Sequence, residues 1–202
     1  MSIKNELKST FFQLVNISEV YPEEKEVIEL VESRLDSAGI ESQRDGYNNV
    51  VAYIPGEGEP LMVNTHLDVP EPNPNVSYRE EGDIIRADGT NILGADPKSG
   101  LAVILVFLER MAQRDHTEHR PIEAVFTRGE EAGLLGARNL DHSLLSSREG
   151  VVLDEDGPIS RAVVQAPAFV MMDVEFIGKA VHPREPEKGI NALQVAAEAI
   201  SQ

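Results

Sequence analysis

The sequence predicts an α/β fold: a mixed, mainly parallel sheet sandwiched by helices, followed by the start of a small α+β domain. Three observations predict it. Stretches with strand character alternate with stretches of helical periodicity along most of the chain. Residues 101–108, LAVILVFL, are an apolar run too long for a typical strand, which suits a helix buried on most sides. Polar clusters holding His66, Asp96, Glu131 and Asp154 each fall at a strand end or a strand-to-helix turn. In an open α/β sheet the carboxyl ends of the strands face one crevice.

The elements follow in order. Ile3, Leu7, Phe11, Leu14 and Val15 recur at helical spacing over residues 3–16. Pro22 opens a second helix, with Glu23 and Glu24 as acids of its first turn. Val27, Ile28, Val31 and Leu35 form its apolar stripe, and Gly39 ends it. Strand-like stretches cover 49–54, closed by Pro55-Gly56, then 61–65 and 83–87. The polar turn NILGADPKSG leads into the buried helix, and Ser99 and Gly100 suit its start. A strand at 122–126, a helix at 130–140 and a short strand at 151–153 follow. Strands at 160–165 and 169–177 and a helix at 191–200 complete the chain. A boundary is expected near Pro167, dividing a first domain (1–166, its N-terminal part) from the beginning of a second domain (167–202). One strand and one helix bury little of either apolar face. Leu193, Ala196, Ala197 and Ile200 therefore lead us to expect that the sequence is the front part of a longer protein.

A formal charge of −17 argues against a nucleic-acid binder, which needs a basic face. There is no cysteine, so disulfides and thiolate metal sites are excluded. No stretch has signal-peptide form or the length to span a bilayer, so the expectation is a cytoplasmic protein with no membrane partner.

In LMVNTHLDVP, His66 and Asp68 share a strand face, so the carboxylate can hold imidazole Nδ1–H and leave Nε2 free for a metal. In FTRGEEAGLLGA, Glu130 and Glu131 stand at a strand-to-helix junction about 100° apart, so one can bind metal while the other faces a water. Asp154 directly follows a short apolar strand, and Asp96 stands at the mouth of the buried helix. Taken singly, each has a plainer use, as a surface pair, a helix-start acid or a turn residue. Taken together, one imidazole and three carboxylates suit Zn²⁺, Mn²⁺ or Co²⁺. They exceed one four-coordinate zinc that keeps a place for water, and suit two metals bridged by a carboxylate and a water.

With these motifs assembled, the sequence resembles the co-catalytic zinc hydrolases that include peptidase T, carboxypeptidase G, carnosinase, aminoacylase and succinyl-diaminopimelate desuccinylase. THLDVP, LGADPKSG, EEAGLLGA, VLDEDGP and GKAVHP with KGINAL occur in the family's order. The resemblance implies two divalent ions, most simply zinc, with cobalt or manganese as substitutes. His66 and Asp154 would be ligands of one ion and Glu131 of the other, with Asp96 bridging both. Asp68 would orient His66, and Glu130 would be the general base. His182 would lie on a lid or dimerisation domain and, in a homodimer, steady the oxyanion in the partner's site. It also implies a cis bond after the bridging aspartate, here Asp96–Pro97.

Some residues depart from the family pattern. Pro97 stands where peptidase T-like members often have Asp, and Arg184-Glu185 follows the lid His-Pro where small residues are more usual. A further ligand histidine and the residues for the substrate carboxylate belong beyond residue 202. His116 and His119 are expected to be solvated in a surface loop, His142 to cap a helix or face solvent, and none to be a substitute. The expected activity is cleavage of short peptides, aminopeptidase- or tripeptidase-like, by the full-length protein, with residues 1–202 alone inactive. The alternatives are an N-acyl or N-succinyl amino acid deacylase, a metal-dependent binding domain, or an inactive fragment. A binding domain would have no use for Glu130.

Overall fold

The computed structural model describes residues 2–73, 76–166, 168 and 170–201. The chain divides into two compact units, Met1–Pro158 and Ile159–Gln202. In the first, helices α1 (Ile3–Val15) and α2 (Lys25–Ser37) lead into strands β1 (Glu41–Arg44), β2 (Val50–Ile54) and β3 (Leu61–His66). A hairpin of β4 (Tyr78–Glu81) and β5 (Ile84–Ala87) precedes the long helix α3 (Ala95–Met111). Strand β6 (Ile122–Thr127), the one-turn helix α4 (Leu135–Arg138) and strand β7 (Gly150–Val152) complete the unit.

The five-stranded sheet has the order β1-β2-β6-β3-β7. β6 and β7 run parallel to β3 on either side of it, while β1-β2 and β2-β6 are antiparallel, so the sheet is mixed with its parallel half around β3. Val50, Ala52 and Ile54 of β2, Val63 of β3 and Ile122, Ala124 and Phe126 of β6 share one face. They form one core with Phe11 and Leu14 of α1, Val27, Val31 and Leu35 of α2, and Leu101, Ile104, Leu105 and Leu108 of α3. Those four α3 residues are at most 1% exposed, and each such side chain contributes roughly 1.5–3 kcal/mol of burial. On the opposite face, Val51, Tyr53 and Glu123 line an open groove of about 1000 Å³. The hairpin rests on α1, where Tyr78 stacks on Phe12 at 4.5 Å and Lys8 pairs with Glu80.

Helix α2 opens at Lys25 and not at Pro22, two further expectations are corrected, and two strands were not expected. The helix expected over 130–140 is regular only at Leu135–Arg138, because Gly129, Gly133 and Leu134 all take positive φ. β1 (ESQR) and β4 (YREE) carry no apolar alternation to mark them. Residues 160–166 and 170–177 are not strands, although Val164 and Val170 have strand-forming side chains. Neither segment carries a strand assignment among the described residues, and the Val164 and Val170 side chains are exposed. The expected junction, Pro167, and the first residue of the second expected strand, Phe169, lie outside the described residues. The second unit contains the α-helix α5 (Ala192–Ile200), whose N-terminal amides at Leu193 and Gln194 donate to the Asn191 side chain.

Candidate metal centre

The parallel half of the sheet brings three strand ends to one edge. His66 closes β3 opposite Thr127 of β6, and Asn64 of β3 pairs with Val152 of β7. The chain therefore leaves β3 through Leu67-Asp68, β6 through Arg128 to Glu131, and β7 through Leu153-Asp154, all at this edge. The start of α3 adds Asp96. Gly94 before it takes φ +70°, Asp96 itself is non-helical at φ −85°, ψ 111°, and the Asp96–Pro97 bond is cis.

His66 is the hub. Its Nε2 lies 2.9 Å from Asp96 Oδ1 and 3.2 Å from Asp154 Oδ1, and its Nδ1 lies 3.3 Å from Asp68 Oδ1. One ligand atom each from His66, Asp96 and Asp154 lies within 4.8 Å of the others, and the same holds for His66, Glu130 and Glu131. All six residues expected at the site in the first unit thus come together. His182 belongs to the second unit, is exposed, and accepts Arg184 N–H at Nδ1. His116, His119 and His142 join no such group among the described residues.

Asp68 organises the pocket. Fully buried, it accepts the N–H groups of Glu130 at 3.0 Å and Glu131 at 3.1 Å while facing His66. Burial pushes its carboxyl up, but His66 and these two amides outweigh burial and hold it below the usual range. For His66, burial favours the neutral ring, yet Asp154 and Asp68 overcome this and raise it to about 10. Glu130 and Glu131 are both raised, first by burial and then by the neighbouring carboxylates. Lys98, also fully buried, donates from Nζ to Leu67 O at 2.7 Å and so fixes the peptide between His66 and Asp68. Burial lowers Lys98 to about 8.

Sequence reasoning gave no role to Lys98 beyond its motif, nor any to Asn49. The fully buried Asn49 side chain ties Asp45, Gly136 O and Arg128 N–H together beneath the glutamate turn. The donor set fits hard or borderline divalent cations. It has one imidazole and several carboxylates, and the neighbouring Asp154 and Asp68 raise the ring's proton affinity where a cation could sit.

The family model for peptidase family M28 matches residues 49–162, more than half of the chain. The uncharacterized protein YqjE of Bacillus subtilis is 32% identical over 97% of this chain and 56% of its own length. Peptidase T of Streptococcus pyogenes is 34% identical over 66% of this chain and 32% of its own. The crystal structure of a Staphylococcus aureus tripeptidase superposes with a TM-score of 0.77 at 30% identity, covering 98% of this chain and 56% of that one. The chain thus spans about half the length of YqjE and the tripeptidase, and about a third of peptidase T. Because the matched residues 49–162 contain every member of the acidic pocket, the chain belongs to the co-catalytic zinc peptidases, the group of peptidase family M28 and peptidase T.

Proposed function

We propose that the full-length protein is a metal-dependent hydrolase that removes residues from short peptides, in the manner of an aminopeptidase or tripeptidase. The observation that carries this reading is the convergence of His66, Asp96, Glu130, Glu131 and Asp154 around one pocket, with Asp68 behind it. His66 and Asp154 would hold one divalent ion, Glu131 the other, and Asp96 both, zinc being the simplest choice and cobalt or manganese able to replace it. When bound, the ions supply an acidified water and polarise the scissile carbonyl.

The chain's own residues do the rest. Asp68 accepts from Nδ1 of His66 and so keeps Nε2 turned into the pocket. Glu130, whose amide Asp68 holds, takes the proton of the attacking water and passes it to the leaving amine. The upward shift of Glu130 by burial and neighbouring acids suits a group that must both accept and release a proton. His182 would donate to the oxyanion from a lid domain beginning near residue 167, across a homodimer. A cytoplasmic location belongs to the same proposal.

The test is metal analysis of the full-length protein together with a panel of di- and tripeptides and N-acyl amino acids. The expected result is about two divalent ions per chain and release of N-terminal residues that stops with a chelator and returns with zinc. Turnover of N-acyl amino acids without peptides would move the protein to the deacylases. A metal-loaded protein that hydrolyses neither class would sink the proposal.

A further inference from the structure

The turn carrying Glu130 and Glu131 hangs from two buried carboxylates. Asp68 takes the amides of Glu130 and Glu131, and the amide just before them, that of Gly129, donates to Glu24 Oε1 at 3.0 Å. Glu24 is fully buried and lies outside residues 49–162. Its Oε2 accepts from Arg128 at 2.6 Å. The same guanidinium donates to Pro22 O at 2.8 Å and Tyr47 O at 3.2 Å, and lies 5.5 Å from the centre of the Tyr21 ring.

An acid at a helix start ordinarily serves that helix's own unpaired amides. Glu24 occupies the N-cap position of α2 and makes no such bond. The amides of Glu26 and Val27 donate instead to Glu19, at 3.0 and 2.9 Å. Glu19 therefore caps the helix, and Glu24 is turned inward onto the strand exit. Gly129 makes the close approach workable, since it takes φ +56° and a Cβ there would lie 2.6 Å from Tyr21 Cδ2. Three consecutive amides thus end on two buried carboxylates, and hydrogen bonds to ionised acceptors in such surroundings are strong.

We propose that Glu24 is a positioning residue for the hydrolytic reaction: through Gly129 N–H and Arg128 it fixes the origin of the turn from which Glu130 enters the pocket. This rests on Glu130 being the general base. A misplacement of about 1 Å at a reacting group costs on the order of 100-fold in rate.

The experiment compares Glu24→Gln and Glu24→Asp in the full-length protein, with trialanine as substrate. In each variant kcat falls by about 10- to 100-fold while KM stays within about twofold. In a Glu130→Gln background, adding either change costs less than about twofold more, because the group being positioned is already gone. Amide hydrogen exchange across residues 127–131 quickens in both variants and stays at the wild-type rate across α3. A loss that is additive in the two backgrounds, or unchanged exchange at the turn, overturns the proposal. If Glu24→Gln does not fold, Glu24→Asp keeps the charge beside Arg128 while withdrawing from Gly129, and the same readings decide. A wild-type protein that cleaves no peptide defeats the functional reading, whereas exchange at 127–131 still decides whether Glu24 holds the turn.

Discussion

Asp68 does two jobs with one carboxylate, orienting His66 and holding the amides of both glutamates, so the chemistry of the site depends on which neighbours remain free to move protons. Of the two acids outside the proposed ligand set, Asp68 is tied to His66 and the two amides, and Glu130 is left to move the proton. Glu130→Gln should keep its metals and lose about 10²- to 10⁴-fold in kcat, read by elemental analysis beside steady-state kinetics. Loss of metal would mean that the two glutamates have exchanged roles. The metal-free pocket makes a second prediction. His66 rises from an ordinary 6.5 to about 10 in the folded chain, so its contribution to stability is complete below pH 6.5 and is lost as pH climbs through 10. Lys98 falls from 10.5 to about 8, which adds stability with rising pH between those values. With chelator present, the pH dependence from these two groups should therefore be a fall from about pH 6.5 to 8 and a plateau from 8 to 10. Calorimetry across that range on wild type and His66→Gln checks it, and a fall of equal steepness in the variant would remove His66 as its cause. The six first-unit site residues were legible because each acid or imidazole sits at the end of an apolar run. Glu24, Lys98 and Asn49 were not, because each reaches a backbone group far along the chain, Gly129 N–H, Leu67 O and Gly136 O, and nothing in a lone Glu, Lys or Asn announces burial.

The elements show where local pattern suffices and where pairing decides. The stripes of α1 and α2 and the apolar run of α3 are written in their own sequences, although α2 opens at Lys25 and not at Pro22, and α3 at Ala95, ahead of Ser99-Gly100. The glutamate turn is different. Its residues suit a helix, yet Gly129, Gly133 and Leu134 take positive φ while side chains from β3's exit and the start of α2 hold the amides at 129–131, and only Leu135–Arg138 coils. Edge strand β1 escaped notice because all four side chains are exposed and no alternation survives. Asn49 ties these parts together. It donates to Asp45 Oδ2 at 2.8 Å and Gly136 O at 3.0 Å, and accepts Arg128 N–H at 3.1 Å, so the β1-β2 turn, the exit of β6 and α4 share one side chain. Asn49→Ala should destabilise the fold by roughly 2–4 kcal/mol, since it leaves several buried groups unpaired. Urea unfolding measures this, and a loss under about 0.5 kcal/mol would show that the three elements are held by other means.

At the scale of the whole molecule, a chain of net charge −17 that gathers four carboxylates of its proposed ligand and base set at one sheet edge should gain from any cation that fits there. Zinc at about 100 times its dissociation constant should add about 2.7 kcal/mol to the stability of the metal-free protein. The sheet order adds a consequence in time. β3 emerges early in synthesis, but both its neighbours, β6 and β7, are made only after α3, so His66 is translated long before Glu131 and Asp154. Pairings between such distant segments form slowly, because a long loop must close before any contact rewards it. A nascent chain therefore displays an isolated histidine and then an isolated aspartate, neither able to retain an ion, until the last parallel strand docks. On this order of assembly the proposed ion would act as a latch on finished architecture and not as a nucleus for it. In stopped-flow experiments zinc, the ion proposed above, should slow unfolding and leave the refolding rate unchanged.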